Sequence, residues 1–209
     1  MKNKLVKLTT ILYFGVIWGI LEASLGYVLH FVPALISGTI MFPIASVILY
    51  RSYKALNSKV ALLGVGFIAA VIKSVNFFMP SISIWKTINP MISIVVESLF
   101  VLAVISLLDK NNHVAKVVAL PIASIGWRGV FLGTLAIQSL LTGFSAPQIT
   151  SFGSMANFAL YYGVISGFIA TALFYLNLLW DKQIKFQFKK QPILALPLLA
   201  LAIVLTIVL

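Results

Sequence analysis

The sequence predicts an all-α, polytopic membrane helix bundle, and three observations carry that prediction. Of 209 residues, 61% are hydrophobic and 9% charged, with a mean hydropathy of +1.10. Ordinary soluble domains carry about 25% charged residues, so this chain has too little polar side chain to coat a water-soluble globule of its size. The apolar residues recur along the whole chain as separate runs of transmembrane length, not as one anchor on a soluble domain. The basic residues gather in alternate connections between those runs. A soluble enzyme is excluded as a class.

Seven runs are expected to span: residues 8–29, 34–50, 60–78, 90–108, 117–144, 156–179 and 192–209. A helix needs about 20 residues to cross about 30 Å of hydrocarbon. The second and last runs are therefore short, and the fifth is long enough to tilt or to bend near Pro121. Pro43 marks an expected kink in the second. The basic start, Met1 to Lys7, superficially resembles a secretory signal, but the apolar run after it exceeds an h-region of about 7 to 15 residues and no clean small-x-small site follows. It reads as an uncleaved first helix. The whole chain, 1–209, reads as one integral membrane domain: a polar-lined six-helix core over 8–180 and a peripheral seventh helix over 192–209, whose one polar side chain is Thr206.

Charge placement orients the bundle, because cytoplasmic loops hold the Lys and Arg. With the N-terminus inside, the inner face collects Lys2, Lys4 and Lys7; Arg51, Lys54 and Lys59; Lys110 and Lys116; and Lys182, Lys185, Lys189 and Lys190. The outer connections hold Lys86, while Lys73 and Arg128 fall within spans. The expected topology is N-in, C-out, in the cell membrane. The net charge of +11 then reflects a basic face against anionic lipid headgroups, and no nucleic-acid partner is needed to explain it.

Glu22, Lys73, Glu97 and Arg128 each lie inside an expected span, where a charge costs about 2.5 to 3.5 kcal/mol. At about 1.5 Å of rise per residue, each sits roughly 17 to 21 Å from the inner boundary, so four helices bring four charges to one layer in the outer half. Gly15, Gly19, Glu22, Gly26 and His30 form a stripe on the first helix, and Asn89, Ser93 and Glu97 one on the fourth. On the fifth, Ser124, Arg128, Gln138 and Thr142 are expected to share a face. Together they describe a polar cleft opening outward. Two readings stay open: a neutral two-against-two network fixing helix register, or a ligand site with Arg128 as the anion clamp, its planar fork matching a carboxylate or phosphate. Trp85, in the outer connection over 79–86, is a candidate gate or stacking partner as well as an interfacial aromatic. Asn157 and Tyr161, near the outer start of the sixth span, add hydrogen-bonding groups.

Other chemistries find no residues. Cysteine is absent, so there is no disulfide framework, thiolate nucleophile or cysteine metal site, and His30 and His113 lie at opposite faces, too far apart to share a metal. No P-loop or His-Glu-x-x-His motif occurs, so uptake against a gradient requires an ATPase in another chain. Gly163-Val164-Ile165-Ser166-Gly167 is one residue too long for a Gly-x-Ser-Gly nucleophile turn, and no histidine lies well inside another span to serve it. No catalytic residue, metal or cofactor is expected.

Six polar-lined helices in about 200 residues, a small-x-x-x-small stripe at Gly15, Gly19 and Ala23 and an outward-opening polar layer resemble the substrate-binding S components of energy-coupling-factor vitamin transporters. The resemblance covers residues 8 to 180. It implies capture of a small polar, vitamin-like nutrient, for which the residues already read as candidates are Glu22, Lys73, Trp85, Asn89, Glu97, Arg128, Asn157 and Tyr161. It also implies docking of a transmembrane coupling subunit on Gly15, Gly19 and Ala23, with partner ATPases supplying the energy. An ion-coupled secondary transporter and a structural or sensory membrane protein are the competing classes.

Overall fold

The computed structural model describes residues 2–29, 34–79, 83–183 and 191–208. His30, residues Pro80 to Ile82 and the basic residues Lys185, Lys189 and Lys190 lie outside them. The structure is all-helical, 92% helix, with no strand among the described residues. The helices are α1 (Lys2–Leu29), α2 (Ala34–Leu56), α3 (Val60–Lys73), α4 (Ile84–Asp109), α5 (His113–Thr142), α6 (Phe152–Ala156), α7 (Tyr162–Gln183) and α8 (Gln191–Val208). A 3₁₀ turn, Ser74–Phe78, extends α3, another covers Pro147–Ile149, and a π-helical turn, Asn157–Tyr161, joins α6 to α7.

Neighbouring helices close into a ring in the order α1, α3, α4, α5, α7, α2, and α8 lies outside it, mainly against α1. The α8 contact is apolar: Ala202 packs with Val16 and Ile72, flanked by Leu198, Leu199 and Ile20. Thr206 donates to the Ala202 carbonyl of its own helix at 2.8 Å.

Among the described residues, five segments are long and apolar enough to cross a membrane: Lys4–Leu25, Val60–Phe78, Ile84–Asp109, His113–Thr142 and Phe152–Leu179. They correspond to five of the seven expected spans. The other two expected spans fall on α2 and α8; the described apolar part of α8 is Leu194–Val208. Large apolar side chains such as Phe67, Leu140 and Phe152 cover the outside of the bundle, a surface suited to hydrocarbon more than to water.

Two prolines inside helices are accommodated by one neighbour. Proline lacks an N–H, so the carbonyl four residues before it loses its helical donor. For Pro43 that carbonyl is Thr39, and Ser166 Oγ of α7 donates to it at 3.2 Å; for Pro121 it is Val117, 3.3 Å from Thr171 Oγ1 of α7, whose single hydrogen is shared with the Gly167 carbonyl of its own helix at 3.0 Å. Five residues apart on α7, the two hydroxyls replace donors missing from α2 and α5. Gly167 permits this approach, since a Cβ there would collide with Pro121 Cα and lie 2.7 Å from Pro121 N.

The two ends of the ring differ. At one end Lys54 pairs with Asp109 at 3.0 Å, Lys59 donates to Ser106 at 2.6 Å, Lys7 donates to Ser58 at 3.2 Å and Arg51 donates to Asn177. Leu49, Tyr50, Leu62, Leu108, Leu120 and Phe174 pack the ring shut above it. At the other end the helices enclose a cavity.

Candidate functional site

Periodicity on α4 and α5 builds the cavity walls. Asn89, Ser93 and Glu97 recur every four residues along α4, and Trp127, Phe131, Leu135, Gln138 and Thr142 at spacings of four, four, three and four along α5; all eight line the cavity. Glu22 comes from α1, Gly38 and Met41 from α2, Lys73 from the end of α3, and Phe158 from the π-helical turn. Beyond α5, Gly143 takes a left-handed conformation with φ of 71° and ends the helix. The chain then folds back, with the Phe144 N–H donating to Thr142 Oγ1 at 3.2 Å and the Ser139 and Ser145 hydroxyls 3.0 Å apart. Phe144, Ala146, Pro147 and Gln148 thereby form part of the rim. The enclosed volume is about 740 Å³, within the range of small-molecule sites.

Trp127, Phe131 and Phe158 form an aromatic wall, their ring centroids 6.0 to 6.1 Å apart in tilted and edge-on arrangements. Trp85 and Phe144 complete it nearer the mouth. The polar lining is Glu22, Lys73, Lys86, Asn89, Ser93, Glu97, Gln138, Thr142 and Gln148. Trp18 Nε1 donates to Glu22 Oε1 at 3.2 Å. Glu97 is 3% exposed and its Oε2 has no hydrogen-bond partner, nor has Oε1 of the buried Gln138.

The charged quartet is placed in two ways. Glu22, Lys73 and Glu97 line the cavity, with Glu22 and Lys73 facing each other electrostatically. Among the described residues no two members of the quartet touch as a salt bridge. Arg128 is fully buried and stands behind the wall: its guanidinium lies 4.6 Å from the Trp127 ring centroid and 5.5 Å from that of Phe158. It donates to Ser124 Oγ at 3.0 Å and to Thr39 Oγ1 at 3.2 Å.

These positions correct several expectations. Arg128 is buried behind Trp127 and is not among the residues lining the cavity. Arg128 and Gln138 were expected on one face, but ten residues at about 100° each leave them about 80° apart. Arg128 therefore points toward α2 while Trp127, one residue earlier, takes the cavity face. Asn157 and Tyr161 are exposed on the outside and do not line the cavity, because in the π-helical turn it is Phe158 that faces inward. Trp85 lies in the first turn of α4 and not in a loop, since that helix begins at Ile84, six residues before the expected Pro90. Gly15 and Gly19 face α3: a Cβ at Gly15 would lie 2.7 Å from Ile68, and one at Gly19 2.6 Å from Ile72. Ala23 is buried as well. At Gly15 and Gly19 the stripe packs against α3 of the same chain.

Among the lining residues that the sequence reading did not single out are Trp127, Phe131, Leu135, Phe144 and Phe158. The stripe running from Trp127 to Thr142 was the available signal for the first three. No group of three or more metal-ligating carboxylates or histidines occurs among the described residues. The chain matches no known protein family, no curated protein and no solved structure.

Proposed function

We propose that this chain is a membrane-embedded binding subunit that captures a small polar organic nutrient in the cavity framed by α1 to α5. The observation that carries the reading is the cavity itself. It is large enough for a vitamin-sized molecule, walled by aromatic rings, and edged by buried polar atoms with no partner in the protein, the composition expected of a small-molecule site. A register-fixing charge network is less well supported, because its members make no direct ion pairs with one another.

In this reading the lysine-rich end faces the cytoplasm and the cavity opens outward across the cell membrane. Energy comes from partner ATPases through a membrane coupling subunit, as the resemblance to S components implies. That subunit docks elsewhere than on Gly15 and Gly19.

Three measurements test the proposal. Native mass spectrometry of the purified full chain should find a small molecule released on unfolding. A tagged chain should co-purify with a membrane subunit and ATPases. A cysteine replacing Lys86 should label from outside and one replacing Lys54 from inside. Accumulation of substrate by the purified chain alone in proteoliposomes, driven by a proton gradient, would reassign it as a secondary transporter.

A further inference from the structure

A second concave surface lies away from the cavity, on the outside of the ring where α1, α3 and α4 meet near the lysine-rich end. We propose that this groove seats an anionic phospholipid, one acyl chain lying along α3 and the phosphate at Lys7. The proposal is independent of what the cavity holds and rests on the membrane setting alone.

The groove has the polarity of a lipid molecule, charged at one end and apolar along its length. Lys7 of α1 is the charged side chain in its lining, and the rest is apolar apart from Ser98, whose hydroxyl is turned to the Ile94 carbonyl of its own helix at 2.8 Å. From Val60 to Phe67 of α3 the lining runs about 10 Å along the helix axis, at about 1.5 Å per residue. The volume is about 530 Å³. Val60, Phe67 and Leu99 border it and are 73%, 63% and 45% exposed, so in a membrane it opens sideways toward hydrocarbon. Gly64, midway along that run, keeps the space open: a Cβ there would already stand 3.0 Å from Ile11 of α1.

The head end is cationic. An ammonium has three N–H donors, and the structure engages Lys7 with one acceptor, Ser58 Oγ at 3.2 Å. Lys4, one turn earlier on α1, is exposed, and Lys59, just before α3, donates to Ser106 at 2.6 Å. Among the described residues neither Lys7 nor Lys59 makes an ion pair, while Asp109 pairs with Lys54. A headgroup of net negative charge is drawn to such a cluster, whereas a choline headgroup sets its own cation beside the lysines. A free phosphate would use the lysines and leave the groove bare, and a partner's helix would use the groove without calling for a lysine at its end. The juxtaposition of the two fits a lipid.

The test titrates the purified full chain in detergent micelles with dioleoyl phosphatidylglycerol, dioleoyl phosphatidylcholine and glycerol phosphate, counting bound molecules by native mass spectrometry beside a thermal melt. Phosphatidylglycerol should be retained about fivefold or more over phosphatidylcholine, the factor for one lysine near a charged headgroup, and glycerol phosphate should not bind. Lys7→Gln should lower that preference about fivefold, while Lys116→Gln, which removes the same charge from α5, a helix outside the groove, should change it by less than about twofold. Gly64→Leu should lower retention of both lipids by filling the groove. Equal retention of the two lipids, or an equal effect of Lys7→Gln and Lys116→Gln, overturns the inference; so does full retention in a Gly64→Leu protein that melts like the parent. Glycerol phosphate binding as tightly as phosphatidylglycerol overturns it in favour of a free phosphate. A co-purifying membrane protein lost in Gly64→Leu, with no lipid retained by the parent, overturns it in favour of a partner's helix. If Gly64→Leu does not fold, the comparison of the two lysine variants decides.

Discussion

Ser166 and Pro43 should be energetically coupled although they lie on different helices. Pro43 leaves the Thr39 carbonyl without a helical N–H donor, and Ser166 Oγ supplies one from α7 at 3.2 Å, with Ser166 fully buried and Thr39 buried as well. Ser166→Ala removes that donor and one oxygen atom, and otherwise leaves the packing almost unchanged. Interhelical hydrogen bonds in membrane proteins average about 0.6 kcal/mol and reach about 1.7, while baring a buried acceptor costs about 1 to 3 kcal/mol. A bond of 3.2 Å is long for a hydroxyl donor, so the expected cost lies near the overlap of those ranges, about 1 kcal/mol. In a Pro43→Ala background the new Ala N–H can donate to the same carbonyl, and Ser166→Ala should then cost almost nothing. The coupling of about 1 kcal/mol exceeds the scatter of about 0.3 to 0.5 kcal/mol seen for independent sites. Reversible unfolding of the four proteins in mixed micelles measures it. Equal costs of Ser166→Ala in both backgrounds would refute the idea that α7 replaces the donor missing at Pro43.

The remaining expectations concern packing, charge and pH. Gly167→Ala should destabilise by about 3 kcal/mol or more, because the added Cβ meets the Pro121 backbone and not a side chain that can turn away; a melt near that of the parent would show the α5–α7 contact to be looser than described. Arg128→Lys should lower the melting temperature, losing the stacking on Trp127 and one of the bonds to Ser124 and Thr39, while leaving the affinity for the small molecule that co-purifies with the chain within about twofold. A large loss of affinity in a well-folded variant would place Arg128 in the site after all. Glu97→Leu should stabilise the empty protein by about 1 to 2 kcal/mol by removing a buried oxygen that has no partner; a lower melting temperature would tie Glu97 into a structural network. At the basic end, the hydrogen bond to Asp109 raises Lys54 above its ordinary value of 10.5. Its stabilisation is complete below that pH and fades as pH climbs through the raised value. Asp109→Asn should therefore cost under about 0.5 kcal/mol at neutral pH, both side chains being well exposed, and the two melts should converge in strong alkali.

Hydropathy and periodicity were legible along the chain because each needs only local counting. The helical class followed from apolar runs that must satisfy their backbone internally in hydrocarbon. Asn89, Ser93 and Glu97 could be assigned to one cavity wall because four-residue spacing keeps side chains on one face of a single helix. Glu22 and Lys73 were flagged by the cost of a charge inside an apolar run, a property of residue and depth alone.

What faces what was decided only by the tertiary structure. Arg128 carries the same sequence signal as Glu97, yet a one-residue rotation of about 100° turns it behind Trp127 while Glu97 looks into the cavity. The small-residue stripe at Gly15 and Gly19 announces a close approach without naming the partner; α3 of the same chain takes that place. Nor could Pro43 and Pro121 indicate who would satisfy the carbonyls they leave bare, since the hydroxyls of Ser166 and Thr171 lie 127 and 54 residues away from those acceptors. Helical periodicity is a property of neighbours in sequence, whereas orientation toward a cavity, a lipid or another helix depends on how the closed ring rotates each helix about its axis, and that rotation is set by all its neighbours at once.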